Sequence, residues 1–157
     1  MEHVVETNVS TDADFQRIFN GFYIVRRNED WRKVYYDYFE SVKDKTPTFE
    51  EIITYMYEHT GNIEPSFSSK MLATINSEKP IWDRYVVQNL NIKLTGTTKE
   101  EKLQNAIRLY GEMEKWYADF LKSDEGRECV ANFEQFLPDY KWMADIKKVD
   151  ALLWSVR

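Results

Sequence analysis

The stretch from Thr98 to Lys122 constrains the fold more than any other part of this chain. It opens with a T-x-x-E capping box, Thr98 to Glu101, which satisfies backbone N–H groups that a helix start leaves unpaired. Leu103, Ile107, Tyr110, Met113, Tyr117 and Phe120 then recur at three and four residues. That spacing lines one face of an α-helix and no face of a strand.

The same period recurs along the chain. Phe15, Ile18, Phe19 and Phe22 predict a first helix that begins near Thr11 and ends at the polar Arg26-Arg27-Asn28 break. Trp31, Val34, Tyr35, Tyr38 and Val42 predict a second, stopped at Lys45-Thr46-Pro47 because proline disfavours helical geometry in the residue before it. Thr48 and Glu51 form another capping box, so a third helix starts there, with Phe49, Ile52, Ile53 and Met56 inward and Gly61 as its end. A fourth carries Lys70. A fifth, which Pro80 is suited to start, carries Asp83, and residues 91–97 form a loop. Beyond the long helix, Gly126 is expected to separate off a short segment with Cys129, Phe133 and Phe136. Pro138 is expected to introduce a last helix with Ile146, Val149, Leu153 and Val156. The first ten residues have no cap and no sustained period and are expected to be loose.

Composition agrees with helix and narrows the function classes. With 157 residues, 43% of them hydrophobic, the chain is long enough for one sizeable core, and an all-α single domain of seven or eight helices over residues 11–157 is expected. Five Gly and four Pro are too few for the frequent turns of an all-β protein of this size. A net charge of −6 argues against a surface that attracts nucleic acid or anionic membrane as a whole, although a local basic patch is compatible with it. The single cysteine, Cys129, cannot pair within the chain, and no N-terminal segment joins basic residues to an apolar run. A reducing cytoplasm is therefore the expected home. No run approaches the roughly 20 apolar residues of a membrane span, so no membrane partner is expected.

The chemistry-bearing segment is PSFSSKMLATINSEKPIWDRYVVQNL, residues 65–90. Lys70 lies in an amphipathic stretch with Phe67, Met71, Leu72 and Ile75, and Asp83 follows across the Ser77-Glu78-Lys79-Pro80 turn. A lysine partly withdrawn from water becomes an amine nucleophile when its pKa falls, and a nearby carboxylate stabilises developing positive charge or handles a proton. The pairing suits attack on a sugar carbon followed by imine formation. Each residue also has an inert reading: a snorkelling helix lysine, and an acid favoured by the first turn of a helix.

This segment resembles the helix-hairpin-helix DNA glycosylases and lyases, especially shorter relatives similar to 8-oxoguanine glycosylase. Ser69-Lys70-Met71-Leu72-Ala73 looks like the lysine helix, and Pro80-Ile81-Trp82-Asp83 looks like the Pro-to-Asp element. The resemblance implies base excision from DNA, with Lys70 as nucleophile on the anomeric carbon and Asp83 as charge stabiliser, and no metal or cofactor. It departs from the family in two places. Gly61-Asn62-Ile63-Glu64-Pro65-Ser66 has one glycine and an acid where a glycine-rich hairpin binds DNA phosphate, and the Lys-to-Asp spacing is several residues short. A relative that keeps the fold and has lost activity fits equally.

Five Trp, ten Tyr and nine Phe mostly fill a core, and Trp82, beside Asp83, is the candidate exposed ring for stacking an extruded base. Lys141, Lys147, Lys148 and Arg157 alternate with Asp139, Asp145 and Asp150 and read as a solvated mixed-charge face. His3 and His59 make no zinc or di-iron spacing, and no phosphate-binding glycine loop occurs. The rival to the glycosylase reading is a non-enzymatic module. It would use an acidic helical surface, including Glu100, Glu101, Glu112, Glu114 and Asp119, to bind a protein partner or occupy a nucleic-acid-binding groove.

Overall fold

The computed structural model describes residues 7–23 and 25–155, and these are all-α. Eight α-helices occur among the described residues, within the seven or eight expected of an all-α domain: α1 (Ala13–Phe22), α2 (Glu29–Val42), α3 (Phe49–Thr60), α4 (Pro65–Ile75), α5 (Arg84–Asn89), α6 (Lys99–Lys122), α7 (Asp124–Phe136) and α8 (Asp145–Ser155). A 3-10 turn (Pro138–Tyr140) follows α7. No helix among the described residues is long and apolar enough to cross a membrane. Two compact units divide the chain, Met1–Ile75 and Asn76–Arg157.

In the first unit the helix starts are fixed by short polar side chains. Asp12, Asn28 and Thr48 each accept a hydrogen bond from the third residue on, at Phe15, Trp31 and Glu51. Gly61 ends α3 at φ 74°, a left-handed conformation that glycine adopts without a Cβ clash. The core is aromatic. Phe19 is fully buried, with the rings of Tyr23, Tyr35, Tyr36 and Phe39 at 4.8, 6.0, 5.8 and 5.7 Å. Edge-to-face contacts of this kind add about 0.5–1.5 kcal/mol each beyond burial. α4 packs on α3; of its expected stripe Met71 and Leu72 are buried and Phe67 and Ile75 half-buried, while Ser68 and Ser69 are buried in addition.

The start of the chain departs from expectation. Residues 1–6 lie outside the described residues, but Thr7 to Ser10 are anchored: Val9 is fully buried and its N–H donates to Glu40 Oε2 at 2.7 Å. Lys43 Nζ donates to the Thr7 carbonyl. The anchors lie more than thirty residues away in sequence, where no local pattern reveals them.

In the second unit α6 follows the predicted range. Thr98 caps it, and Leu103, Ala106, Leu109, Tyr110, Met113 and Tyr117 are buried on the side that meets α7 and α8. Glu101 reaches back to the Thr97 N–H and hydroxyl at 2.9 and 2.7 Å, bonds that hold its pKa below the usual carboxylate value. Three local expectations change. Pro80 starts no helix: residues 80–83 are irregular, and α5 starts at Arg84. Gly126 does not separate two segments but sits in the first turn of α7. A Cβ there would fall 1.7 Å from the Phe120 carbonyl oxygen, so the glycine permits contact between the two helix ends. The break itself is Ser123, which closes α6 with its N–H and caps α7 by accepting from the Gly126 N–H. Pro138 starts only the 3-10 turn, and the last helix begins at Asp145. Ile146 and Val149 are buried as expected, Leu153 is half-buried, and Val156 lies outside the described residues.

Candidate functional site

Lys70 is held by α4, whose first residue, Pro65, has the φ a helix start needs. Lys70 itself is half-buried. Nζ stands 5.0 Å from the Phe67 ring centre and 5.4 Å from that of Tyr23, and 3.5 Å from the Tyr23 carbonyl. These are contacts that suit a cation. A second cation shares Phe67: the Arg27 guanidinium lies 5.4 Å from both the Phe67 and Trp31 rings and bonds both oxygens of Glu64, at 2.7 and 2.9 Å. Glu64 follows the Gly61 turn and is only 4% exposed. Burial raises its pKa. The Arg27 charge opposes the rise, as does the nearby Trp31 indole N–H, which does not reach hydrogen-bonding geometry.

Asp83 is the N-cap of α5, its Oδ2 accepting from the Tyr85 N–H at 2.7 Å. Its position reproduces the acid-at-helix-start reading, one residue outside the helix rather than just inside it. Trp82 corrects the expectation of an exposed ring: it is 7% exposed, part of the core with Val86. Residues 80–83 form no helix, and the Asp83 N–H donates to the Ile81 carbonyl at 3.0 Å, a tight turn centred on Trp82. Lys70 belongs to the first unit and Asp83 to the second. The acid in the surroundings of Lys70 is Glu64, through Arg27 and Phe67.

Asp83 shares the second unit with another set of perturbed groups. The Tyr117 hydroxyl of α6 donates to Asp150 Oδ1, and Lys147 Nζ lies 3.4 Å from Asp150 Oδ2 and donates to the Lys79 carbonyl at 2.5 Å. Tyr110 donates to the Pro80 carbonyl at 2.8 Å. Burial raises the Asp150 pKa against the pull of Lys147 and Tyr117, and Asp83 adds to the rise. Burial lowers that of Lys147 against Asp150. The Tyr117 phenol is pushed up, first by burial and then by the Asp150 charge. Clustered shifts of this kind often mark reaction centres. Here Tyr117, Asp150 and Lys147 are spent on one another and on the backbone of the 76–80 turn, which fixes α8 to α6.

Lys148 makes a third polar knot, contrary to the solvated mixed-charge reading of this region. It is 1% exposed, with Nζ bonding Glu134 at 2.7 Å, the Lys141 carbonyl at 3.0 Å and Asp145 at 3.3 Å. Burial works to lower its pKa, but the bonds and charges of Glu134 and Asp145 outweigh it and the net shift is upward. Lys148 thereby ties α7, the segment after the 3-10 turn, and α8 together. That tie holds a group of apolar side chains in water: Phe136 is 80% exposed, Trp142 is 69% exposed, and Leu137 and Tyr140 are exposed as well. The Tyr140 and Trp142 rings stand 6.5 Å apart.

Sequence periodicity misses this surface because it searches for stripes. The available signal is the run Phe136-Leu137-Pro138-Asp139-Tyr140-Lys141-Trp142-Met143, dense in large apolar residues that proline keeps from any one helix face. The acidic α6 surface is less uniform than the sequence suggests, since Glu112 pairs with Arg108 and Glu114 with Lys79, each at 2.9 Å. Cys129 is half-buried. Among the described residues no three of His, Cys, Asp and Glu converge as ligands for a metal ion. Comparison with protein-family models, with characterised proteins and with solved structures returns no match for this chain.

Proposed function

We propose that this protein is a non-enzymatic helical interaction module that docks a protein partner on the surface formed by the end of α7 and the 3-10 turn. One observation carries the reading: Phe136, Leu137, Tyr140 and Trp142, four large apolar side chains within seven residues, are all exposed. Exposed aromatic clusters are a recurrent mark of binding surfaces, and Trp and Tyr are the residue types that dominate interface energetics. Charge selects the partner. Between residues 124 and 145 the exposed acids are Asp124, Glu125, Glu128, Asp139 and Asp145, against Arg127 and Lys141 alone. The fitting segment therefore carries apolar anchors flanked by Lys or Arg.

Titration with an amphipathic Leu/Lys peptide, and with its Leu/Glu counterpart, tests this through Trp142 emission. The reading expects the basic peptide alone to bind, more weakly as salt rises, and at least tenfold more weakly to Phe136→Ser/Trp142→Ser. Equal binding of both peptides, no binding of either, or undiminished binding to the variant would overturn it.

A second reading, base excision from DNA with Lys70 as nucleophile and Asp83 in support, draws on the partial withdrawal of the Lys70 amine from water. It expects a borohydride-trapped adduct with abasic-site DNA that disappears in Lys70→Ala. Absence of the adduct would end it.

A further inference from the structure

An open cleft of about 700 Å³ lies along α1 and α2 in the first unit, within the usual range of small-ligand sites. Its cations are not equivalent. Lys33 is paired with Asp37 at 2.7 Å, and Arg17 with Asp14 at 3.6 Å. Arg32, the least exposed of the three, has no ion-pair partner among the described residues. It lines the cleft together with Tyr36, on whose phenol its charge acts, a group pushed up by burial and so kept protonated. Tyr36 donates to Asn20 Oδ1 at 2.5 Å, which turns the Asn20 amide N–H₂ to other acceptors. A half-buried arginine with no carboxylate of its own, lining the same cleft as an amide donor, is suited to acceptor oxygens of a ligand. Glu29 and Asp37 also line the cleft, and their charges limit it to a single anionic group.

We infer that this cleft binds a compact organic anion, a carboxylate or phosphate held by Arg32 and Asn20. The site is independent of the α7 surface. Calorimetry and thermal melts with sodium phosphate and with sodium acetate, against sodium chloride at equal ionic strength, test it. Saturable binding with an upward melting shift is expected for at least one of the two, and which one identifies the ligand's charged group. Arg32→Gln should weaken binding at least tenfold, while Arg108→Gln on α6 should leave it unchanged. Asn20→Asp keeps an acceptor for Tyr36 but places a carboxylate in the cleft, and should abolish binding even if Arg32→Gln fails to fold. No saturable binding of either anion, or unchanged affinity in Arg32→Gln or Asn20→Asp, would overturn the assignment.

Discussion

Lys147 and Asp150, one turn apart on α8, form a half-buried ion pair in which both members are pushed toward their neutral forms: the lysine pKa is lowered and the aspartate pKa raised, burial being the first cause of each. Desolvation thus outweighs attraction at both ends, as is common for ion pairs removed from water. Lys147→Met alone should cost roughly 2 to 4 kcal/mol, because it strands the Asp150 charge. Lys147→Met/Asp150→Leu should cost much less. Urea denaturation of the two variants checks the difference.

The same pair sets a pH signature. A carboxyl whose folded pKa lies above its unfolded value of about 4 contributes stability that is full below that value and is lost as pH rises through the folded one. Asp150 is of this kind. A lysine with a lowered folded pKa contributes stability that is full at alkaline pH and lost as pH falls through the folded value. Wild type should therefore lose stability relative to Asp150→Asn as pH rises above the unfolded value of about 4, which denaturation midpoints across the acid range measure.

Arg27 and Glu64 are unequal partners, one 38% exposed in its side chain and the other 4%. Freed arginine reaches water, whereas freed glutamate does not. Arg27→Met should accordingly destabilise more than Glu64→Gln, by roughly 1 to 3 kcal/mol near pH 7. The deficit of Arg27→Met should shrink in acid as Glu64 takes up a proton, since burial already raises its pKa and loss of Arg27 raises it further. An equal cost for the two variants would contradict the burial asymmetry.

Two helical glycines should respond oppositely to alanine. At Gly111, on the exposed side of α6, an added Cβ meets nothing within 4 Å, and Gly111→Ala should stabilise by about 0.5 to 1 kcal/mol. At Gly126 the Cβ would strike the Phe120 carbonyl, and Gly126→Ala should cost about 3 kcal/mol or more. Thermal melts decide both.

Tryptophan quenching separates surface from core. Iodide should reach Trp142 and spare Trp82. Trp142→Ala should change stability by no more than about 0.5 kcal/mol, and Trp82→Ala should cost about 3 to 5 kcal/mol.

How far the fold is legible depends on the range of the interaction. The capping boxes at Thr48 and Thr98 and the stop at Gly61 act within one turn, and each is read correctly from neighbouring residues. Gly126 is misread because its requirement comes from the Phe120 carbonyl across a corner, while the Ser123-Asp124-Glu125 start that marks the true boundary is a local signal that a glycine obscures. Lys147 and Lys148 look solvated in sequence, since alternation with acids is what a wet face shows. Only their partners, the Lys79 carbonyl for Lys147 and Glu134 for Lys148, reveal that the first is half-buried and the second buried. Trp82 is not legible as a core residue from helical spacing, because residues 80–83 are non-helical and turn at Trp82 itself.

Ser123 ends one helix and begins the next, so the junction has no spare link. An extra residue inserted there would rotate everything downstream by about 100° around the α7 axis, one residue's share of a helical turn. Phe136 would swing away from its present heading, and Gly126 would lose its berth under the α6 carbonyls. The compass bearing of the aromatic face is thus set thirteen residues upstream, by a hydroxyl too small to be counted among its contacts.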